Sequence, residues 1–359
     1  MYPTLMTKNA AALKVAWSVE TERILHDMQQ MGKASPEALE VVRGFLAAPG
    51  KLIRPSLFLF GYEAYTKRAA SEKIVRLAVS LELLHMYLLI HDDIVDNSTT
   101  RRGVPSLHTQ FALHHKRHGL RGSSEHFGVS MAILIGDILC TTAESIWTSL
   151  GQGGATNETA RGIFETMKKE VGWGQYNDAT LSVSRHEPSY AEVLRVLVEK
   201  SGKYSIFRPL QLGACIAGAG NDATLWMEGF GTNLGVAFQT IDDILGTFGN
   251  EKETGKPIDS DLIERKYTLL IHFAFKCADA EDLETLKQFF GYAPLTGKTL
   301  PSVDAVRQLL KKYDADDKAR VVALEHLEKA KAALLDSGLD SSYTDELRAF
   351  ADFIVTRKK

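Results

Sequence analysis

The apolar run from Leu77 to Ile90 ends in three carboxylates, Asp92, Asp93 and Asp96. Read with helical period, it extends back to Ser71 and carries Ile74, Leu77, Ala78, Leu81, Leu84, Leu88 and Val95 on apolar rows. Such a helix must be buried, so the chain is expected to be built around it. Asp92 and Asp96 are four apart and share a face, with Asp93 beside them. That much negative charge at the end of an apolar helix is costly unless cations neutralise it. Two arginines, Arg101 and Arg102, follow a few residues later. Oxygen-only ligands suit a hard ion such as Mg2+, which keeps waters and shares its shell with phosphates. Taken alone, the stretch also reads as a solvated acidic helix end beside a basic loop.

A second acidic pair shifts the balance. Asp242 and Asp243 lie at the polar end of another apolar run, GVAFQTIDDILG, and Lys256 and Lys266 follow. Two acidic helix ends, each trailed by basic residues, read as two walls of one polyphosphate site bridged by metal ions. Lys51 and Arg54, three apart at an expected helix start after Pro49-Gly50, are a further candidate anion site.

Nearly every other segment has helical period, and alternating strand-like runs are almost absent. Helices are expected over about residues 8–30, from Ser35-Pro36-Glu37 to about residue 48, over about 125–150, and from about 158 to 178. Ser189 to Glu192 has the form of a capping box, and Gly202 is expected to break the helix it opens. Residues 114–124, HHKRHGLRGSS, are expected to form a polar loop. His114 and His118 have metal-ligand spacing there but no acidic or cysteine partner in the stretch. Residues 281–359 read as helices with a loop at 291–301 and no nameable chemistry. Gly255-Lys256 does not make a P-loop, because Pro257 stands where Ser or Thr is required.

A net charge of −3 gives no basic footprint for nucleic acid. Cys140, Cys215 and Cys277 are odd in number, far apart and in apolar contexts, which implies reduced thiols in a cytoplasmic protein. No signal peptide is visible, and the run Leu77 to Ile90 is too short to span a bilayer, so no transmembrane segment is expected.

The ordered set of motifs resembles the trans-isoprenyl diphosphate synthases, or polyprenyl synthetases, and among them most resembles bacterial geranylgeranyl synthases. The matches are GKLIRP at Gly50 to Pro55, DDIVD and TRRG, GQYND at Gly174 to Asp178, EKSGKYSIFRPLQLGA at Glu199 to Ala214, FQTIDD at Phe238 to Asp243, then GKP and ERKYT. The resemblance implies a single all-α domain over residues 1–359, an antiparallel helical bundle around a deep pocket, a cytoplasmic enzyme and a homodimer. It implies condensation of isopentenyl diphosphate with an allylic diphosphate, assisted by several Mg2+ ions, with Mn2+ as a substitute.

By the same resemblance, Asp92, Asp96 and Asp242 are metal ligands, supported by Asp93 and Asp243. Arg101, Lys200 and Lys256 stabilise the departing diphosphate. Lys51, Arg54, His85 and Arg102 hold isopentenyl diphosphate. Ser201, Gln239 and Lys266 complete the substrate contacts, and Gln175 and Asp178 support the metal and Lys200 from behind. Lys203 competes with Lys200 for its role. Tyr87 lies five residues before Asp92, about 7–8 Å along a helix axis, and is expected to floor the tail pocket with Leu84 and Leu88. An aromatic at that position followed by a smaller residue resembles geranylgeranyl synthases. Gly246 departs from the family, many members of which have a third carboxylate there. The rival readings are a farnesyl or longer-chain synthase, a terpene cyclase, which needs no isopentenyl site, and a non-catalytic subunit, which Gly246 would favour.

Overall fold

The computed structural model describes residues 2–47, 49–101, 103–149, 154–220, 222–249, 260–295 and 299–356. Contacts divide the chain into two compact units. The first comprises Met1–Glu165, Arg208–Thr224 and Ser341–Glu346; the second comprises Thr166–Phe207, Leu225–Asp340 and Leu347–Lys359. Among the described residues the fold is all-α, with one two-stranded exception.

The helices of the first unit are α1 (Thr4–Thr7), α2 (Ala10–Gln30), α3 (Pro36–Leu46), α4 (Ile53–Thr66) and α5 (Glu72–Val95). A short antiparallel pair follows, β1 (Thr100–Arg101) and β2 (Val104–Pro105), with Arg101 opposite Val104. Then come α6 (Leu107–Arg117), α7 (Ser124–Thr148) and the first part of α8 (Ala155–Ser182). The second unit takes the rest of α8, then α9 (Tyr190–Val196) and a π-helix, Leu197–Phe207. After it, α10 (Arg208–Ile216) belongs to the first unit, and α11 (Asp222–Phe248) lies mostly in the second. Five helices of four or more residues complete the described chain, at Ser260–Ile263, Leu269–Cys277, Ala280–Phe290, Val303–Lys312 and Ala315–Ala333, before the last, Ser341–Thr356.

Helix α5 is the centre of the first unit because it is apolar almost all round. Ala78, Leu81, Leu83 and Leu84 are fully buried, and α2, α4 and α7 pack against them. Polar groups on α5 are tied down where they enter the core. Trp147 donates its indole N–H to Ser80 Oγ at 2.8 Å, stacks on Phe164 and meets Phe58 edge-on. Arg76 donates to the buried Glu20 of α2 at 2.6 Å. The caps at Ser35 and Ser189 form as expected: Ser35 Oγ accepts from Ala38 N, and Ser189 and Glu192 exchange both bonds of the capping box.

Three expectations are corrected. Residues 114–117 are the last turn of α6, not a loop; the buried Phe111 and His115 hold that turn against α7. Gly202 does not break its helix, which runs on as the π-helix. Its missing side chain serves close packing, described below. The run Leu77 to Ile90 is only part of a longer helix, and α5 and α7 are both long and apolar enough to cross a membrane. Within the protein, 67% of the apolar window of α5 is buried, against 33% for α7. Ile133, Leu134 and Ile138 of α7 remain exposed.

In the first unit, α4 and α10 touch backbone to backbone. A β-carbon on Gly213 would overlap the carbonyl oxygen of Phe58, and one on Gly61 would overlap that of Leu210. Gly213→Ala is therefore expected to lower stability by roughly 1–3 kcal/mol through overpacking. A urea titration followed by circular dichroism checks it; an unchanged midpoint would mean that the two helices part without cost.

Candidate active site

The first acidic cluster closes α5. Asp92 and Asp93 lie in its last turn, and Asp96 is the residue that caps its C-terminus. The carbonyl ends of a helix carry partial negative charge, so carboxylates there are doubly in need of a cation. Asn97 adopts a left-handed φ of 52°, which turns the chain back, and the amide of Ser98 bonds Asp93 O at 2.8 Å. The β1–β2 pair then returns Arg101 to the cluster. Its Nε donates to Asp93 Oδ1 at 2.7 Å, and its terminal nitrogen reaches Asp93 at 2.6 Å and Asp92 Oδ2 at 3.2 Å. Asp93 is 1% exposed. Burial works against the charge on Arg101, but the hydrogen bond and charge of Asp93, with those of Asp92, outweigh it and raise its pKa.

The other predicted residues of the first unit occupy α4 and α5. Arg54 lies in the first turn of α4, and Lys51 precedes the helix. Gly50 and Leu52 both have positive φ, 89° and 52°, so Lys51 sits in an irregular entry and not on a helical face. His85 and Leu88 are half-buried on the row of Asp92, whereas Leu84 is a fully buried core residue. Tyr87 shares its row with His91, their ring centroids 4.5 Å apart, and both face α7. Gly136 of α7 makes room for them: a β-carbon there would lie 2.7 Å from His91 Nε2 and 3.4 Å from the Tyr87 ring. Burial first, then the nearby Cys140 and Asp137, raise the Tyr87 pKa.

In the second unit, the π-helix and α11 carry the predicted residues. A β-carbon on Gly235 of α11 would overlap the backbone of Gly202, and one on Gly231 would lie 2.6 Å from Phe207. This contact brings Ser201 within reach of α11. Ser201 Oγ donates to Gln239 Oε1 at 2.8 Å, and Gln239 Nε2 donates to Asp243 Oδ1 at 2.9 Å. From α8, Asp178 Oδ2 accepts from Lys200 Nζ at 2.6 Å. Lys203 pairs with Glu170 Oε1 at 3.2 Å. Gln175 has a buried Nε2 with no hydrogen-bond partner among the described residues. Trp173, two residues before it, is 64% exposed.

Asp243 is buried. Burial drives its pKa up, the charge of Asp261 raises it further, the bond from Gln239 lowers it, and Asp242 and Asp178 raise it again. Lys266 Nζ meets Glu264 Oε2 at 2.8 Å, and its amide bonds Asp261 O at 2.9 Å. Asp261 carries no motif signal of its own in the sequence, and its carboxylate lies 3.1 Å from where a β-carbon on Gly246 would be. Arg102 and Lys256 lie outside the described residues.

The donor set of each cluster is carboxylate oxygen, and the mutual repulsion around Asp243 is what a divalent cation relieves. Among the described residues no three His, Cys, Asp or Glu side chains form a ready-made cage. A metal here would complete its shell with water and ligand oxygens. Oxygen donors, excess negative charge and adjacent cations for an anion together fit a metal–diphosphate pair.

The sequence model of the polyprenyl synthetase family matches residues 35–305. The chain belongs to that family. A geranylgeranyl diphosphate synthase of Sulfolobus acidocaldarius is 29% identical over 334 residues, covering 90% of this chain and 92% of the relative. A geranylfarnesyl diphosphate synthase of Aeropyrum pernix is 30% identical over 320 residues, covering 88% and 92%. The crystal structure of geranylgeranyl pyrophosphate synthase from Corynebacterium glutamicum, complexed with isoprenyl diphosphate and magnesium, matches with a TM-score of 0.86 at 30% identity. That match covers 96% of this chain and 98% of the other.

Within this polyprenyl synthetase, Arg101 is the cation that makes buried Asp93 tolerable. Arg101→Met withdraws it and is expected to destabilise the protein by about 3 kcal/mol, as breaking a buried pair does. Chemical denaturation measures this; wild-type stability in the variant would show that the pair carries no folding energy.

Proposed function

We propose that this polyprenyl synthetase elongates an allylic diphosphate with isopentenyl diphosphate and releases geranylgeranyl diphosphate. The observation that carries the reading is the presence, in one chain of this family, of both carboxylate clusters: Asp92 and Asp93 with Arg101 held against them, and Asp242 and Asp243 with Gln239 bonded to Asp243, while Lys200 is held by Asp178. Divalent metal ions, when bound, neutralise the diphosphate and help it leave. Asp92, Asp96 and Asp242 are proposed to hold them, with Mg2+ as the working ion. Asp93 and Asp243 orient these groups through Arg101 and Gln239.

Arg101 and Lys200 stabilise the negative charge that grows on the leaving diphosphate, the largest kind of catalytic term. Ser201, Gln239 and Lys266 position the allylic substrate. Lys51, Arg54 and His85 hold isopentenyl diphosphate, whose double bond attacks the allylic carbon, and a proton is then lost to the departed diphosphate. Arg102 is assigned to isopentenyl diphosphate and Lys256 to the departing diphosphate. We further propose that the whole chain works as one catalytic domain, cytoplasmic and homodimeric, with the exposed apolar face of α7 against a second copy.

Product length is set in this reading by Tyr87, backed by α7 through Gly136. A geranylfarnesyl relative is as similar in sequence as the geranylgeranyl ones, so overall identity does not choose the length. The decisive assay supplies purified protein with Mg2+, isopentenyl diphosphate and dimethylallyl, geranyl or farnesyl diphosphate, and reads products by mass spectrometry. A geranylgeranyl product is expected. Folded, metal-loaded protein that gives none would leave the non-catalytic subunit as the reading.

Asp92→Asn, at a half-buried position that Arg101 continues to flank, is expected to cut turnover at least about 100-fold with the fold intact. Turnover equal to wild type would remove the first cluster from the chemistry. Tyr87→Ala is expected to shift the product to longer chains; an unchanged distribution would move the floor of the pocket elsewhere.

A further inference from the structure

The π-helix that carries Lys200 lies between two helices of the second unit and meets both through glycines. A β-carbon on Gly174 of α8 would lie 2.7 Å from Lys200 N and 2.9 Å from its Cα, and one on Gly235 of α11 would overlap the backbone of Gly202. These contacts set how closely the elements approach. They do little to stop one element from sliding or turning on the other, because interlocking side chains do that.

Two consecutive residues of α8 supply the lock. Asp178 Oδ2 accepts from Lys200 Nζ at 2.6 Å, and Asn177 Nδ2 donates to Glu199 Oε2 at 2.9 Å. Neighbouring residues of an α-helix do not share a face, so a double match of this kind requires a close approach and altered winding. Gly174 gives the first and the π-helix the second. The Asn177–Glu199 bond touches none of the residues assigned to substrate or metal. Glu199 shares a peptide bond with Lys200, however, so anchoring its carboxylate fixes the backbone from which the lysine projects. Lysine carries its charge on a flexible four-carbon stem, and its reach depends on where that stem begins. A neutral donor suits position 177, because a carboxylate there would meet Glu199 with like charge.

We propose that Asn177 is a positioning residue for Lys200: by holding Glu199 it sets the register of the π-helix, and with it the point at which the Lys200 ammonium meets the allylic diphosphate. The inference rests on the assignment of Lys200 to that diphosphate, and the test separates the two. Steady-state kinetics use the whole chain with Mg2+, isopentenyl diphosphate and farnesyl diphosphate. Asn177→Leu keeps the size of the side chain and removes the donor. It is expected to lower kcat/KM for farnesyl diphosphate roughly 10–100-fold, the scale on which small misplacements act, with KM for isopentenyl diphosphate unchanged. Asn177→Asp is expected to lose more. Adding Glu199→Gln to Asn177→Asp should restore most of it, because the bond then forms with donor and acceptor exchanged. Lys200→Gln is the control. In that background Asn177→Leu should cost little more, since residues that act through one group are not additive.

Wild-type kcat/KM in Asn177→Leu, with turnover lost in Lys200→Gln, would overturn the role of Asn177 and leave that of Lys200 standing. A full further loss on adding Asn177→Leu to Lys200→Gln would also overturn it. So would an equal rise in KM for isopentenyl diphosphate, the mark of a general loosening. Wild-type turnover in Lys200→Gln would overturn the underlying assignment as well. Thermal melts identify any variant that has lost its fold. The exchanged pair still decides, since restored turnover requires a folded protein and a folded pair without it overturns the proposal.

Discussion

Carboxylates at the carbonyl ends of helices are unfavourable, and this protein assembles them twice. Asp92, Asp93 and Asp96 end α5, and Asp242 and Asp243 lie near the end of α11. Hydrogen-bonding side chains hold each arrangement together. Arg101 returns on a hairpin to answer Asp93, while Gln239, itself fixed by Ser201, answers Asp243. Carboxylate oxygens gathered this closely at each helix end are the kind of donor set that suits a hard divalent cation.

The second unit fixes this geometry with backbone more than with side chains. A π-helix shifts the register of Lys200 and Ser201 relative to an ordinary helix, and such segments concentrate at functional sites. The contact between Gly202 and Gly235 lets the π-helix lie directly on α11. Ser201 reaches Gln239 because nothing stands between the two backbones. Gly136 does a similar service in the first unit, where it admits the rings of Tyr87 and His91.

Much of this was legible in the sequence because the signals were local. Helical period gave the all-α class, and Ser35 and Ser189 capped the helices that their spacing announced. The two acidic ends were readable as motifs. What escaped was set by contacts distant in the chain. Gly202 read as a helix breaker because its packing partner, Gly235, lies 33 residues on. The polar stretch after His114 read as a loop because its composition hid the burial of His115. Which carboxylate each of Lys200 and Lys203 meets was likewise hidden, since Asp178 and Glu170 lie more than 20 residues back in the chain. The approach of Asp261 to Gly246 was also out of view, because the two lie 15 residues apart in the chain.

The four tryptophans bear differently on how the protein can be observed. Trp17, Trp147 and Trp226 are no more than 5% exposed, and Trp147 is stacked and hydrogen-bonded to α5. Trp173 stands in solvent on α8, two residues from Gln175 and five from Asp178. Iodide or acrylamide therefore reaches one indole and spares three. The quenchable fraction of the emission is a label already built into the helix that carries Asp178, and it reports on that helix without any dye or substitution.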